Sequence, residues 1–143
     1  MAVKPAPRGP ATRSAAKIIQ PKGWVAPRGY ANGVLKTGQF LAIGGQIGGK
    51  PPGMALERGL PEQFAQCLDN VLAVVEAAGG QARDLVSMTI FVTDQRQYHA
   101  ANKEITTAWR KRMGKHYPAM ALVEVKGLME PRALVEIQAF AVL

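Results

Sequence analysis

No acidic residue occurs before Glu57, and eight lysines and arginines precede it. The rest of the chain carries ten charges of each sign, so the whole formal excess of +8 belongs to the N-terminal part. Much of it falls in MAVKPAPRGPATRSAAK, where three prolines and many small residues offer nothing to build a core. Residues 1–16 are therefore expected to be a flexible basic tail ahead of one domain over 17–143. The tail has no apolar h-region of a secretory signal, and its prolines spoil an amphipathic transit helix. A basic arm can grip phosphates through counterion release, but tails of this composition commonly serve only to solvate, so nucleic acid is not the expected partner.

Cysteine and histidine are scarce as well. The single cysteine, Cys67, rules out a disulfide framework and fits a reducing compartment, so a cytoplasmic location is expected. Two histidines, His99 and His116, show no metal-ligand spacing with it, and neither a metal nor a cofactor is expected. No run approaches the roughly 18 apolar residues of a membrane span, so no membrane partner is expected. What remains is ample for one core, with 143 residues and 48% of them apolar.

Along the chain, KIIQ (17–20) reads as a short edge strand, and VLKTGQFLAIGGQI (34–47) as a hairpin turning at Thr37-Gly38. The strongest helix signal starts at Pro61, carries apolar residues at 64, 67, 68, 71, 72, 75 and 78, and ends at Gly79-Gly80. LVSMTIFVT (85–93) alternates Val86, Met88, Ile90 and Val92 against Ser87, Thr89 and Phe91, which predicts a central strand with one drier face. Asp94 is placed to cap a second helix with Tyr98, Ala101, Ile105 and Trp109 inward, and basic Arg110, Lys111 and Arg112 suit its C-terminal dipole. Strands over 119–125 and 134–142 complete an α+β domain, a mixed or antiparallel sheet with two helices on one face. The other face then needs cover, which predicts a symmetric oligomer.

Four features invite a functional reading. GGQIGGKP (44–51) nearly spells a phosphate-binding loop, but Pro51 stands where the magnesium-binding hydroxyl belongs, and Pro51-Pro52 prevent the following helix. Its glycines better suit a strand end that another group approaches closely. Cys67 lies on the apolar stripe of a helix and reads as packing. Glu136 is set among Leu134, Val135, Ile137, Phe140 and Val142, where an unpartnered carboxylate costs several kcal/mol, roughly. A semi-polar seam at a subunit cleft, with a water, would suit it as a general acid or base. Glu124 reads as an ordinary strand acid paired with Lys126 or Arg132.

GYANGV, GGQI, QFAQCLDNVLAVVEAAGG, VSMTIFVTD, Asn102, YPAMALVEVKGL and VEIQAFAV together resemble the RidA family, also called YjgF or reactive-intermediate deaminases, from about Ile18 to Leu143. The resemblance implies a chorismate-mutase-like subunit of bacillus type, a homotrimer, and ligand sites in the clefts between subunits. It further implies hydrolysis of enamines and imines to oxo acids and ammonia, without metal or cofactor, on a small-molecule substrate. Glu136 matches the glutamate that positions and activates water, and Tyr30 the pocket tyrosine. Gly45, Gln46, Asn102, Met120 and Ala121 fall at substrate-binding positions. Two departures stand out. Pro118-Ala119-Met120 replaces the family's Pro-Ala-Arg, removing a bidentate carboxylate anchor, and Gly44-Gly45-Gln46 replaces Ser-Gly-Gln. The chain is thus closer to branches similar to 2-aminomuconate deaminase, with Arg28 the candidate replacement anchor. A non-catalytic metabolite-binding paralogue, and an RNA-binding or ribonuclease activity, are the competing functions.

Overall fold

The computed structural model describes residues 14–143. In chain order the strands and helices are β1 (Lys17–Ile19), β2 (Gly33–Leu35), β3 (Phe40–Ile47), β4 (Gly49–Lys50), β5 (Ala55–Leu56), α1 (Leu60–Ala77), β6 (Leu85–Val92), α2 (Gln95–Ala100), α3 (Asn102–Met113), β7 (Ala119–Glu124) and β8 (Val135–Val142). The principal sheet has the order β3-β8-β6-β7, with β7 parallel to β6 and the other pairs antiparallel. Of the basic tail expected over 1–16, residues 1–13 lie outside the described residues. Ser14 is hydrogen-bonded to Thr37, its Oγ donating to the Thr37 carbonyl at 2.5 Å.

Helix α1 forms where the apolar spacing asks for it. Pro61 occupies the first turn, where its missing N–H costs nothing, and Phe64, Cys67, Leu68, Val71 and Val75 are fully buried against the sheet. The end is a Schellman motif: the Gly79 N–H donates to the Glu76 carbonyl and the Gly80 N–H to the Val75 carbonyl, both at 2.8 Å, with Gly79 left-handed at φ 84°.

Strand alternation sets the layers. Val135, Ile137, Ala139 and Ala141 of β8 are buried beneath α1, and Met88, Ile90 and Val92 of β6, paired with that strand, are buried on the same side of the sheet. The intervening residues, including Glu136, Gln138 and Phe140, point to a face that no helix covers. Phe40 and Phe140 stack there, ring centroids 5.4 Å apart, and Phe40 keeps 68% of its surface exposed.

Two expectations are corrected. Residues 34–47 do not form a hairpin: β2 pairs with β1, and β3 pairs with β8. Lys36 is drawn into a buried ion pair with Asp84, and Gln39 exchanges backbone hydrogen bonds with Leu143 at 2.7 and 2.8 Å, so Thr37-Gly38 crosses between sheets. The helix after β6 is divided in two. Asp94 caps α2, its Oδ1 accepting from the Arg96 and Gln97 N–H groups at 2.8 and 3.2 Å, but Ala101 departs from helical geometry at φ −92°, ψ 12° before α3 begins. At the far end Trp109 Nε1 donates to the His116 carbonyl at 3.2 Å and His116 Nε2 to the Leu85 carbonyl at 2.8 Å, which moors α3 to the start of β6. No helix among the described residues is long and apolar enough to cross a membrane.

Candidate functional site

Parity explains how a glutamate survives in β8. With Val135 and Ile137 turned inward, Glu136 must face the uncovered side, where it is only half-buried. The neighbouring strand carries a bulge: Ile43 pairs with Ala139 and Gln46 with Ile137, so Gly44 and Gly45 together oppose Gln138. A side chain at Gly45 would collide with Glu136 Oε1 and stand 2.9 Å from its Cδ, so the carboxyl lies directly over the glycine. Among the described residues this carboxyl makes no hydrogen bond to protein, which leaves both oxygens open to water or ligand. Beneath it, burial and then the Glu136 charge push the Cys67 thiol up to about 12, and its Sγ–H donates to the Val135 carbonyl at 3.6 Å. Cys67 is packing, as its helix position predicts.

A second group gathers at the outer edge of β7. The Ala31 N–H donates to the Pro118 carbonyl at 3.0 Å and Ala31 bridges Ala119 in parallel, so the loop holding Arg28, Gly29 and Tyr30 runs beside the strand. Gly29 turns there at φ 75°. A cavity of about 340 Å³ is walled by Arg28, Tyr30, Ile90, Tyr98, Met120, Ala121 and Leu122. Adjoining it, a cavity of about 240 Å³ reaches under α2 and α3 to Asn102, Ile105, Thr106, Trp109 and Tyr117. Burial raises the Tyr98 phenol above its ordinary value. Arg28 makes no ion pair or hydrogen bond among the described residues.

Arg28, Tyr30, Asn102, Met120 and Ala121 are thus brought together, and Gly45 with Glu136, but the two groups are apart within one chain. Met120 pairs with Met88 and turns to the helix side, whereas Ala121 pairs with Thr89 and turns to the open side. Glu136 pairs with Phe91, which pairs in turn with Val123, so two strand spacings, about 10 Å, separate Glu136 from β7. Gln46 folds back on the bulge, its Nε2 donating to the Gly44 carbonyl at 3.2 Å. Glu124 caps instead of pairing with a base: its Oε2 accepts from the Gln95 N–H at 2.7 Å, and Arg132 pairs with Glu130 at 2.9 Å. No group of three or more His, Cys, Asp and Glu among the described residues is arranged to hold a metal.

Two buried polar residues of α1 escaped the sequence reading. Gln63 Nε2 donates to the Glu57 and Arg132 carbonyls at 3.1 and 3.2 Å while its Oε1 accepts from the Leu134 N–H at 2.8 Å. Asn70 Nδ2 donates to the Ile47 and Gly49 carbonyls at 3.1 and 2.9 Å. Together they fix the glycine-rich end of β3 and the start of β8, and so the seat of Glu136. The available signal was their i, i+7 spacing on the apolar stripe, where a polar side chain needs partners.

A mixed four-stranded sheet with helices on one face and an edge loop laid along β7 is the chorismate-mutase-like architecture. Residues 24–143 match the family described as Endoribonuclease L-PSP, and the chain belongs to that family, the RidA or YjgF group. A RutC family protein of Aquifex aeolicus is 37% identical over 126 residues, spanning 88% of this chain and 98% of the relative. The 2-iminobutanoate/2-iminopropanoate deaminase of Escherichia coli is 34% identical over 113 residues, 79% of this chain and 86% of that protein. Among solved structures, the Rid-family protein YyfB of Yersinia pestis aligns with TM-score 0.79 at 26% identity, covering 91% of this chain and all of that one. Escherichia coli TdcF, solved with bound serine, aligns with TM-score 0.66 at 29% identity over 89% of this chain and 98% of that one.

Proposed function

We propose that the chain is a hydrolytic deaminase of enamines and imines, yielding an oxo acid and ammonia with water as co-reactant. The reading is carried by the Glu136 carboxyl, seated on a glycine, open on the sheet's bare face and free of protein hydrogen bonds among the described residues. Kinship with the Escherichia coli deaminase supports it. In this reading three copies pack through their uncovered faces, where Phe40 and Val123 expose apolar surface, and the Gly45–Glu136 group of one subunit completes the Arg28–Tyr30–Asn102 group of the next. The enzyme is then a cytoplasmic homotrimer acting on a small molecule.

The chemistry follows from those groups. An enamine first tautomerises to its imine. Arg28 forks the substrate carboxylate, while the Tyr30 hydroxyl, Asn102 and the backbone amides around Gly45 and Met120 orient the reacting carbon. Glu136 takes a proton from water, whose oxygen bonds to the imine carbon, and returns it to nitrogen. The hydroxyl of the resulting carbinolamine then gives its proton to Glu136, which passes it to nitrogen as the C–N bond breaks, so that ammonia leaves and the carbonyl forms.

With Met120 where the family's arginine stands in the resemblance, the cleft suits chains longer than three carbons, and the six-carbon dicarboxylate 2-aminomuconate is the candidate against which length and charge are tested together. The test is ammonia release from enzymatically generated 2-aminomuconate and 2-aminoacrylate, with Glu136→Gln as control. Turnover is expected to be lost in Glu136→Gln and strongly reduced in Arg28→Ala. Full activity in Glu136→Gln would remove the role assigned to it, and failure on every imine, with an oxo acid still bound in calorimetry, would leave a metabolite binder.

A further inference from the structure

Resting on the deaminase reading, we infer that the cavity under α2 and α3 is an aryl subsite, so that the substrates are imines of 2-oxo acids bearing one carboxylate and an aromatic side chain. The two cavities share Arg28, Gly29, Ile90, Tyr98 and Met120, so a ligand held at the β7 edge can extend inward without leaving a continuous wall. Across both linings Arg28 is the sole charged residue. One carboxylate is therefore matched, and a second carboxylate, as in a muconate, would be pressed against apolar wall with no cation to offset its desolvation.

The inner cavity is built for a ring. Its floor is Ile90, Ile105 and Trp109, each exposing no more than 5% of its surface. The Trp109 and Tyr117 rings stack nearly parallel, 5.5 Å apart at 5°, and Tyr98 stands edge-on to Phe64 at 6.1 Å and 74°. A ring entering there lies among four aromatic side chains, Phe64, Tyr98, Trp109 and Tyr117, a lining with which offset or edge-on aromatic pairs can form. Its 240 Å³ compares with the roughly 150 Å³ that accepts benzene in an engineered apolar cavity. Met120, at the shared boundary, is unbranched and polarisable and pairs well with aromatic rings, whereas an arginine at that position would place a charge in the passage. Asn102 and Thr106, one helical turn apart on α3, supply the polar rim.

The test uses an L-amino acid oxidase to generate imines from phenylalanine, tryptophan and alanine, with 2-aminomuconate alongside, and measures oxo-acid formation as kcat/KM. Phenylalanine imine is expected to exceed alanine imine at least tenfold, the scale on which even one apolar group discriminates. That ratio should fall at least tenfold in Met120→Arg and in Thr106→Phe, the first charging the passage and the second filling it. Phenylpyruvate and pyruvate binding by calorimetry gives a readout independent of turnover. Tighter phenylpyruvate binding without turnover of any imine would keep the subsite and remove the deaminase. Turnover that is no faster for aryl imines, or equal binding of the two oxo acids, would overturn the aryl subsite.

Discussion

Gly45→Ala isolates the seat of the proposed catalytic carboxyl from the stability of the fold. Gly45 is exposed and has no positive φ, so alanine fits its backbone, and by narrowing the unfolded ensemble the change should alter stability by only about 0.4–1 kcal/mol, if anything upward. The side chain of Glu136 is another matter. The new Cβ would sit 2.9 Å from Cδ and overlap Oε1, whereas carbons rest at about 3.5–4.0 Å, so the carboxyl must withdraw by roughly 1 Å or swing to another rotamer. A displacement of that size at a catalytic group costs about 10²-fold in rate. The assay is steady-state ammonia release on the best imine, beside a thermal melt. Gly44→Ala, with no atom within 4 Å of its new Cβ, is the steric control and should lose far less. An unchanged rate in Gly45→Ala with an unchanged melt would refute the placement of Glu136 as the group that holds water.

Cys67, with its thiol pushed up to about 12 against an ordinary value of 9.0, should resist a thiol reagent at pH 8 in the native protein and react only on denaturation. Because the folded state holds that proton more tightly, its contribution to stability is complete below pH 9 and fades as pH rises toward 12; urea midpoints across that range should fall more steeply than in Cys67→Ala. Lys36→Met removes one partner of the buried Asp84 carboxylate, which also accepts from the Gln81 N–H at 2.8 Å, and should cost about 1–3 kcal/mol, read as a lower urea midpoint at unchanged slope. Gly48→Ala brings a methyl within 2.5 Å of the Gln63 Cα, part of a helix backbone that cannot step aside, and should lose about 1–3 kcal/mol in the same measurement. Asp94→Ala, by uncapping α2, should lose about 1 kcal/mol.

What the sequence disclosed follows from where its signals are local. Helix α1 was legible because Pro61, the apolar stripe and Gly79-Gly80 all agree within twenty residues, and β6 because its alternation is carried by β-branched and sulfur side chains on one parity. The hairpin over 34–47 misread a glycine: Thr37-Gly38 has turn chemistry, but the partner of β3 lies some ninety-five residues away at the C-terminus, and no local pattern reports it. The break at Ala101 likewise leaves no composition signal, since alanine favours the helix it interrupts.

The site was half legible for a reason that strand geometry supplies. Met120 and Ala121 are neighbours in sequence and were read as one cluster, yet period-two alternation sends them to opposite sides of β7. Met120 then belongs with Tyr98 and Trp109 beneath the helices, and Ala121 shares the open face with Glu136. A cleft that must offer both a carboxylate anchor and a water-holding carboxyl cannot be closed on one side of so thin a layer. It has to wrap the exposed edge of β7, where Arg28 and Tyr30 already lie, and receive its glutamate from a surface of like shape. On the proposed reading the uncovered sheet and the divided site make the same demand, and a neighbouring copy in the trimer would meet both at once.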